Sequence, residues 1–244
     1  MTRTAPMLAI AGLLATTTLA NAADDAGRIP GAFSASIAFA SDYVFRGISQ
    51  TGSNAAVQGG IDWAHDSGVH LGVWGSNVDF GTDAGTEVDW VAGYAGQIGD
   101  VAYDLKLTYY SYPGASNSLD YDFWEAALVL GYDLGPASLG VAYNYSPAFF
   151  GGSGQAHYVS GSVAVAVPEF PLGLTLSAGI GRQFIEDNAT WGTPDLTDWR
   201  VGAAGRVEGF DLALTYTDTD LASADCGGSN LCEGRFVFAV SRAF

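Results

Sequence analysis

The segment that decides the fold is "YDLKLTYY" at residues 103–110, in which every second residue is apolar or aromatic. On an extended chain these residues share one face, and the residues between them, which include Asp104 and Lys106, share the other. This period of two predicts a β-strand with one apolar face and one mixed face. The apolar face consists of Tyr103, Leu105, Leu107 and Tyr109.

The same period recurs along the chain, for example in "LGLTLSAGIG" at 172–181 and "FDLALTYT" at 210–217. From Phe33 onward no stretch has a convincing period of 3.6, so the sequence predicts an all-β protein. Twelve strands are predicted at 33–47, 55–65, 68–79, 86–97, 100–112, 120–133, 137–146, 156–167, 171–185, 196–207, 210–219 and 232–244.

The connections between these strands alternate in length. Short ones such as "IGD" and "EGF" are each followed by long ones such as "YPGASNSLD" and "DLASADCGGSNL". Strands of about ten residues with short turns at one end and long loops at the other are typical of transmembrane β-barrels. Residues 33–244 therefore predict an antiparallel up-and-down barrel of about 12 strands in the outer membrane of a Gram-negative bacterium, with both termini periplasmic. Such a chain would have outer-membrane lipid, periplasmic chaperones and the barrel-assembly machinery as partners.

The N-terminus has the composition of an export signal. Arg3 precedes an apolar run, and Ala20-Asn21-Ala22 fits an A-x-A cleavage site. We therefore expect a secretory signal peptide at 1–22 and a short periplasmic segment at 23–32, before the barrel.

The charge of the chain excludes some classes of function. The formal net charge is −17, and Lys106 is the only lysine, so no basic patch exists to bind nucleic acid. The three histidines lie in no context that suggests a catalytic serine, and no Gly-rich segment has the setting of a phosphate loop. We therefore expect no enzyme activity and no cofactor.

The segment "SDYVFRGISQTG" at 41–52 places Asp42 and Arg46 four residues apart. If Tyr43 and Phe45 face lipid, Asp42 and Arg46 face the lumen. A ring of acids would favour cations in a pore for small polar solutes; the alternative is a salt-bridge network that plugs a structural or surface-binding barrel. The other inward candidates by parity are Asp62, Glu87, Asp89, Asp104, Lys106, Glu125, Asp198, Arg200, Arg206 and Asp211.

Two features mark the end of the chain. Cys226 and Cys232 lie in "DCGGSNLCEG", where an exported chain could close a small disulfide loop. No His or third Cys lies near them, so we expect no metal site. The chain ends at Phe244, and an aromatic last residue is typical of the C-terminal signal of outer-membrane barrels.

The segment 41–52, together with "AVQGGIDWAHDSGVHLGVWGSNVDF" at 56–80, resembles the TorF-like porins of proteobacteria. The later "WVAGYAGQIGD" and the Ser-Arg-Ala-Phe terminus look similar as well. The resemblance covers most of the chain after the signal peptide. It implies an outer-membrane barrel with a role in transport, and it supplies neither a substrate nor catalytic residues.

Overall fold

A computed structural model describes residues 29–170 and 172–244. Twelve strands form one closed antiparallel barrel, and two more form a small hairpin. A single turn of α-helix, Asn188–Trp191, and three short 3₁₀ turns lie in the connections. The strands are β1 Ala32–Ala40, β2 Val44–Phe45, β3 Ile48–Ser49, β4 Ala56–Ala64, β5 Val69–Asn77, β6 Thr86–Ile98, β7 Val101–Ser111, β8 Phe123–Asp133, β9 Ala137–Ser146, β10 Ala156–Ala166, β11 Thr175–Ile185, β12 Leu196–Val207, β13 Phe210–Thr219 and β14 Arg235–Ala243.

The barrel closes where its first strand meets its last. Strand β1 pairs with β4 on one side and with β14 on the other, and Ala38 lies opposite Ser241 in that second pair. The backbone of Phe244 also exchanges two hydrogen bonds with Ala35, at 2.9 and 3.2 Å. Closure leaves no unpaired strand edge. The predicted twelve-stranded barrel is therefore confirmed.

The outer face of the wall is apolar, and the inner face is more polar, with small, charged and some aromatic side chains. Directly paired residues share a face, so Leu107 points outward together with Ala92 and Ala126. By the same rule Lys106 points inward beside Gly93 and Ala127. The outward Leu105 is 51% exposed, which is the arrangement expected of a wall that contacts lipid rather than a protein core.

The predicted signal peptide at 1–22 lies outside the described residues, as do residues 23–28 of the predicted periplasmic segment. Among the described residues, no helix is long and apolar enough to cross a membrane.

Short and long connections lie at opposite ends of the barrel, with one departure from the predicted lengths. The strand predicted at 171–185 begins at Thr175, so the turn after β10 is longer than "PEFP". Leu172 and Gly173 have φ values of 83° and 60°. A β-strand requires negative φ, so these residues form a turn although their side chains alternate in the sequence.

The first strand is shorter than the predicted 33–47. It ends at Ala40, and the chain turns into a two-stranded hairpin of β2 and β3. Arg46 and Gly47 have φ values of 48° and 82°, as a two-residue hairpin turn of the primed type requires. A Cβ atom at Gly47 would collide with a methyl group of Thr219. Only glycine therefore fits this turn in its present position.

The last long loop carries a disulfide between Cys226 and Cys232, six residues apart. Replacing both cysteines by serine is expected to lower the free energy of unfolding by ~2 kcal/mol, because so short a loop removes only modest entropy from the unfolded chain. Urea unfolding of the refolded protein would measure the change. Equal stability of the two proteins under oxidising conditions would contradict this prediction.

Two carboxyl groups form hydrogen bonds in three of the other long loops. Hydrogen bonds from the hydroxyl and backbone N–H of Ser116 hold the pKa of Asp83 below its usual range. The backbone N–H and the hydroxyl of Thr190 lower the pKa of Asp187 in the same way. Because its pKa is lower in the folded state than in the unfolded state, each carboxyl group stabilises the fold at pH values above its unfolded-state pKa. This contribution is lost as the pH falls through the folded-state pKa.

Candidate functional site

Residues 42–51, here called the inner hairpin, fold into the lumen at the long-loop end. The guanidinium of Arg46 donates to Glu125 Oε2 at 2.6 Å and to Gln183 Oε1 at 2.7 Å. These two partners lie on β8 and β11, so Arg46 reaches across the lumen to separate parts of the wall. The side chains of Arg46 and Glu125 are 9% and 3% exposed. The pair is therefore largely removed from solvent.

An aromatic ring completes the setting of this cation. The guanidinium of Arg46 lies 4.2 Å from the ring centre of Tyr158. The hydroxyl of Tyr158 donates to Asp198 Oδ2 at 2.8 Å, and Asn144 Nδ2 donates to the other oxygen of Glu125 at 2.7 Å. The cation thus has one carboxylate as a direct partner and a second one behind the tyrosine ring.

A second ion pair fixes the base of the inner hairpin. Asp42 Oδ1 accepts from the hydroxyls of Ser49 and Thr51 at 2.7 and 2.8 Å. Its Oδ2 accepts from Arg235 Nη1 at 2.7 Å, at the start of β14. Asp42 is 5% exposed. This carboxylate therefore closes the hairpin on itself and ties it to the wall.

Two further acids lie beside the inner hairpin. The hydroxyl of Tyr43 donates to Glu87 Oε1 at 2.7 Å, and its ring packs edge-on against Trp74 at 5.4 Å. Asp89 points inward next to Trp74, and its Oδ1 is buried without a hydrogen-bond partner among the described residues. Among the described residues, neither Glu87 nor Asp89 has an ion-pair partner. Tyr43 thus points inward, and the prediction that it faces lipid is wrong.

Phe45 also points inward, because the hairpin leaves the wall before this residue. Its ring lies 6.1 Å from that of Tyr110, an inner-face residue of β7. The prediction that Phe45 faces lipid is therefore wrong as well. A strand that continued to residue 47 would have placed it outside.

Four long loops cover the mouth above the inner hairpin with an aromatic cluster, here called the aromatic lid. The rings of Tyr121 and Phe150 stack at 4.1 Å, and Phe80 contacts both at 5.7 and 5.4 Å. Trp191 packs on Phe149 at 5.2 Å. The lid therefore joins the loops into one apolar cover over the long-loop end. Its members are Phe80, Tyr112, Tyr121, Phe149, Phe150 and Trp191.

The short-turn half of the lumen is lined by smaller residues and separate charges. Asp104 lies 2.9 Å from His70 Nε2 and 3.8 Å from Lys106 Nζ. Arg206 makes two hydrogen bonds of 2.7 Å to Asp211, and its side chain is 53% exposed. This half of the lumen is therefore more open to water than the half that holds the inner hairpin.

The charged residues predicted from the sequence to line the lumen lie on the inner face of the wall or on the inner hairpin. Asp42 and Arg46 enter the lumen on the inner hairpin rather than on a strand of the wall. The role of these two residues in a pore stays a prediction, as does the role of the predicted residues on the wall strands. Register puts these on the inner face: Asp62, Glu87, Asp89, Asp104, Lys106, Glu125, Asp198, Arg200, Arg206 and Asp211. Sequence reasoning missed Tyr158, Gln183 and the aromatic lid, whose members are spread over four loops.

The groups of the inner face are suited to the binding and selection of small polar solutes. Among residues 29–170 and 172–244, no group of three or more His, Cys, Asp or Glu is arranged to hold a metal ion. The inner face offers carboxylates, guanidinium groups and hydroxyls around a confined space. Such groups can sort small polar solutes by charge and size.

A family model described as "Bacterial protein of unknown function (Gcw_chp)" matches residues 24–244. The chain belongs to this family. The match covers the whole barrel of this chain, and the family description supplies no activity. It does not confirm the resemblance to the TorF-like porins. No curated protein matches this Gcw_chp chain.

Two solved structures show where the Gcw_chp barrel stands among known folds. A structure titled "KdgM porin" aligns with a TM-score of 0.57 at 11% identity, over 86% of this chain and 99% of that one. A NanC porin aligns with a TM-score of 0.56 at 10% identity, over 87% of this chain and 98% of that one. At these identities the similarity shows a shared porin-like barrel fold.

Proposed function

We propose that this Gcw_chp protein is an outer-membrane channel for passive diffusion of small polar solutes, with a preference for cations. The observation that carries the proposal is the inner face of the closed barrel, where acids outnumber bases around the inner hairpin. The two similar barrels titled as porins support the same class of function. No reaction is needed for this role, and we propose no enzyme activity.

The ion pairs of the lumen leave more acids than bases without a partner. Arg46 is matched by Glu125, Arg235 by Asp42, and Arg206 by Asp211. Lys106 lies near Asp104. Among the described inner-face residues, Arg200 forms no ion pair, and neither do several acids. Acidic side chains around a confined path favour the passage of cations over anions. The acids without an ion-pair partner are Asp62, Glu87, Asp89 and Asp198.

The orientation follows from the lengths of the connections. In transmembrane barrels the long loops are external and the short turns periplasmic. We therefore place the aromatic lid and the inner hairpin at the external side and both chain ends at the periplasmic side. In this orientation the open half of the lumen with Asp104 and Lys106 faces the periplasm.

Conductance in a planar bilayer tests the proposal. Refolded protein in a KCl gradient is expected to give discrete current steps and a cation-selective reversal potential. The double variant Glu87→Gln/Asp89→Asn is expected to shift that potential toward zero, because it replaces two acids beside the inner hairpin that have no ion-pair partner. The shift is measured against wild type at the same two salt concentrations.

Asp100→Asn is the matched control, since Asp100 is an exposed acid in a short turn outside the lumen. It removes the same kind of charge and should leave the reversal potential unchanged. A control shift about half that of the double variant, in proportion to one acid removed instead of two, would mean that overall charge, rather than the lining of the lumen, sets the selectivity.

A plugged barrel is the second candidate function, and the aromatic lid is the observation that favours it. The lid and the inner hairpin close the external half with packed rings and buried ion pairs. A barrel that is folded and heat-modifiable but carries no current would support this candidate. The acidic long loops, with Asp83 and Asp187 among them, would then be the surface that meets a partner.

A further inference from the structure

The outer wall of the barrel carries a groove of about 780 Å³ that a channel does not require. Its floor follows one row of directly paired residues across five strands. Ala92 pairs with Leu107, Leu107 with Ala126, Ala126 with Tyr145, and Tyr145 with His157. We call this row and the space above it the wall groove. All five side chains point outward, so the groove faces the lipid and not the lumen.

The wall groove is concave because two of its members are small. Ala92 and Ala126 each follow an outward tryptophan two residues earlier on the same strand, Trp90 and Trp124. These tryptophans are 55% and 48% exposed, so they project from the wall while the alanines do not. A flat apolar wall would need larger side chains at both alanine positions.

The groove climbs from the middle of the wall to its external rim. Ala92 lies midway along β6, Ala126 lies near the start of β8, and His157 is the second residue of β10. Four strand spacings of about 4.8 Å give a length of ~19 Å. One leaflet of a bilayer has about half of the ~30 Å hydrocarbon core. The inclined groove thus has a length comparable to that of an acyl chain in the outer leaflet and rises toward the headgroups.

The rim end of the wall groove is polar. His157 Nδ1 lies 2.8 Å from the hydroxyl of Tyr143, and its ring packs against Tyr145 at 5.1 Å. Next to it, His157, Gln155 and Glu186 line a second depression of about 280 Å³. Outward on β11, Arg182 is a diagonal neighbour of His157 and is 40% exposed. Its Nη1 donates to Thr197 Oγ1 at 2.8 Å and to Asp220 Oδ2 at 3.1 Å, which leaves its other nitrogens for a ligand. One end of the groove therefore offers both hydrogen-bond donors and acceptors at the level of lipid headgroups.

We propose that the wall groove binds a phosphorylated glycolipid of the outer leaflet. Its acyl chain lies along Ala92 and Ala126. Its phosphate meets Arg182 and His157, which can donate charge-assisted hydrogen bonds. Its sugar hydroxyls donate to Glu186 at the second depression. A phospholipid without sugar would leave those acceptors unused, and this site is separate from any conducting path.

Native mass spectrometry tests the site with the full mature chain in detergent. The probe is lipid A, and phosphatidylethanolamine is the comparison lipid. Wild type is expected to retain lipid A in preference to the phospholipid. Ala126→Trp fills the floor of the groove and is expected to weaken retention about tenfold, or ~1.4 kcal/mol. Ala178→Trp, at an outward alanine of β11 outside the groove, is expected to behave as wild type.

A second pair of variants separates the headgroup from the chain. His157→Ala is expected to lower retention of lipid A and to leave that of the phospholipid unchanged. Equal retention of lipid A by wild type and Ala126→Trp would overturn the proposal. Retention of the phospholipid alone would overturn the assignment of the headgroup, and a protein dimer lost in Ala126→Trp would assign the groove to a second copy. Heat-modifiability of each variant reports that the barrel has folded.

Discussion

Arg46→Gln is expected to lower the free energy of unfolding by roughly 3–5 kcal/mol, because it leaves the carboxylate of Glu125 buried without its cation. Glu125 is 3% exposed, so water cannot replace the lost guanidinium without opening the lumen. Gln183 would lose its hydrogen bond from Arg46 as well. Urea unfolding of protein refolded in detergent micelles measures the loss.

The double variant Arg46→Gln/Glu125→Gln provides the internal test. Removing both charges removes the uncompensated carboxylate, so the double variant should recover most of the stability that Arg46→Gln loses. Losses that simply add would show that the two side chains do not form a coupled pair. Arg206→Gln is the matched control, since its pair with Asp211 is exposed and should be worth about 0–1 kcal/mol.

The architecture of the wall could be predicted from the sequence because alternate residues of a barrel strand point to opposite faces of the wall. In "YDLKLTYY" the outward leucines and the inward Asp104 and Lys106 follow directly from the period of two, and register agrees. The alternation says nothing about backbone φ. The prediction from alternation therefore extended the first strand through Arg46 and started the ninth barrel strand before Leu172. At both places positive φ values turn the chain.

The site was harder to predict because its contacts join parts of the chain that are far apart in sequence. Arg46 meets Glu125 and Gln183 only after the barrel has closed. The Arg46-Gly47 dipeptide was the local signal for the hairpin, since Gly at the second position suits a turn with positive φ. No local signal tells whether such a hairpin points outward or into the lumen.

Replacing residues 42–54 by an Asn-Gly turn is expected to raise single-channel conductance several-fold. Ala40 and Ala56 lie opposite each other on adjacent strands, so a two-residue turn flanked by Ser41 and Ala55 can join β1 to β4 without changing the register. The replacement removes Tyr43 and Arg46 from the lumen together with the rest of the inner hairpin. Conductance of refolded protein in symmetric KCl measures the effect.

A matched deletion separates the inner hairpin from the loops in general. Shortening the exposed segment 113–118 removes chain outside the lumen, about half as much as the hairpin replacement at most, and should leave conductance near that of wild type. If wild type is silent and only the hairpin replacement conducts, the native protein is a plugged barrel and the proposal of passive diffusion is wrong. If the replacement is also silent, the aromatic lid closes the barrel by itself, and Trp191 and Phe150 become the residues to change next. Either outcome leaves the wall groove untouched, because its side chains lie on the other face of the same strands.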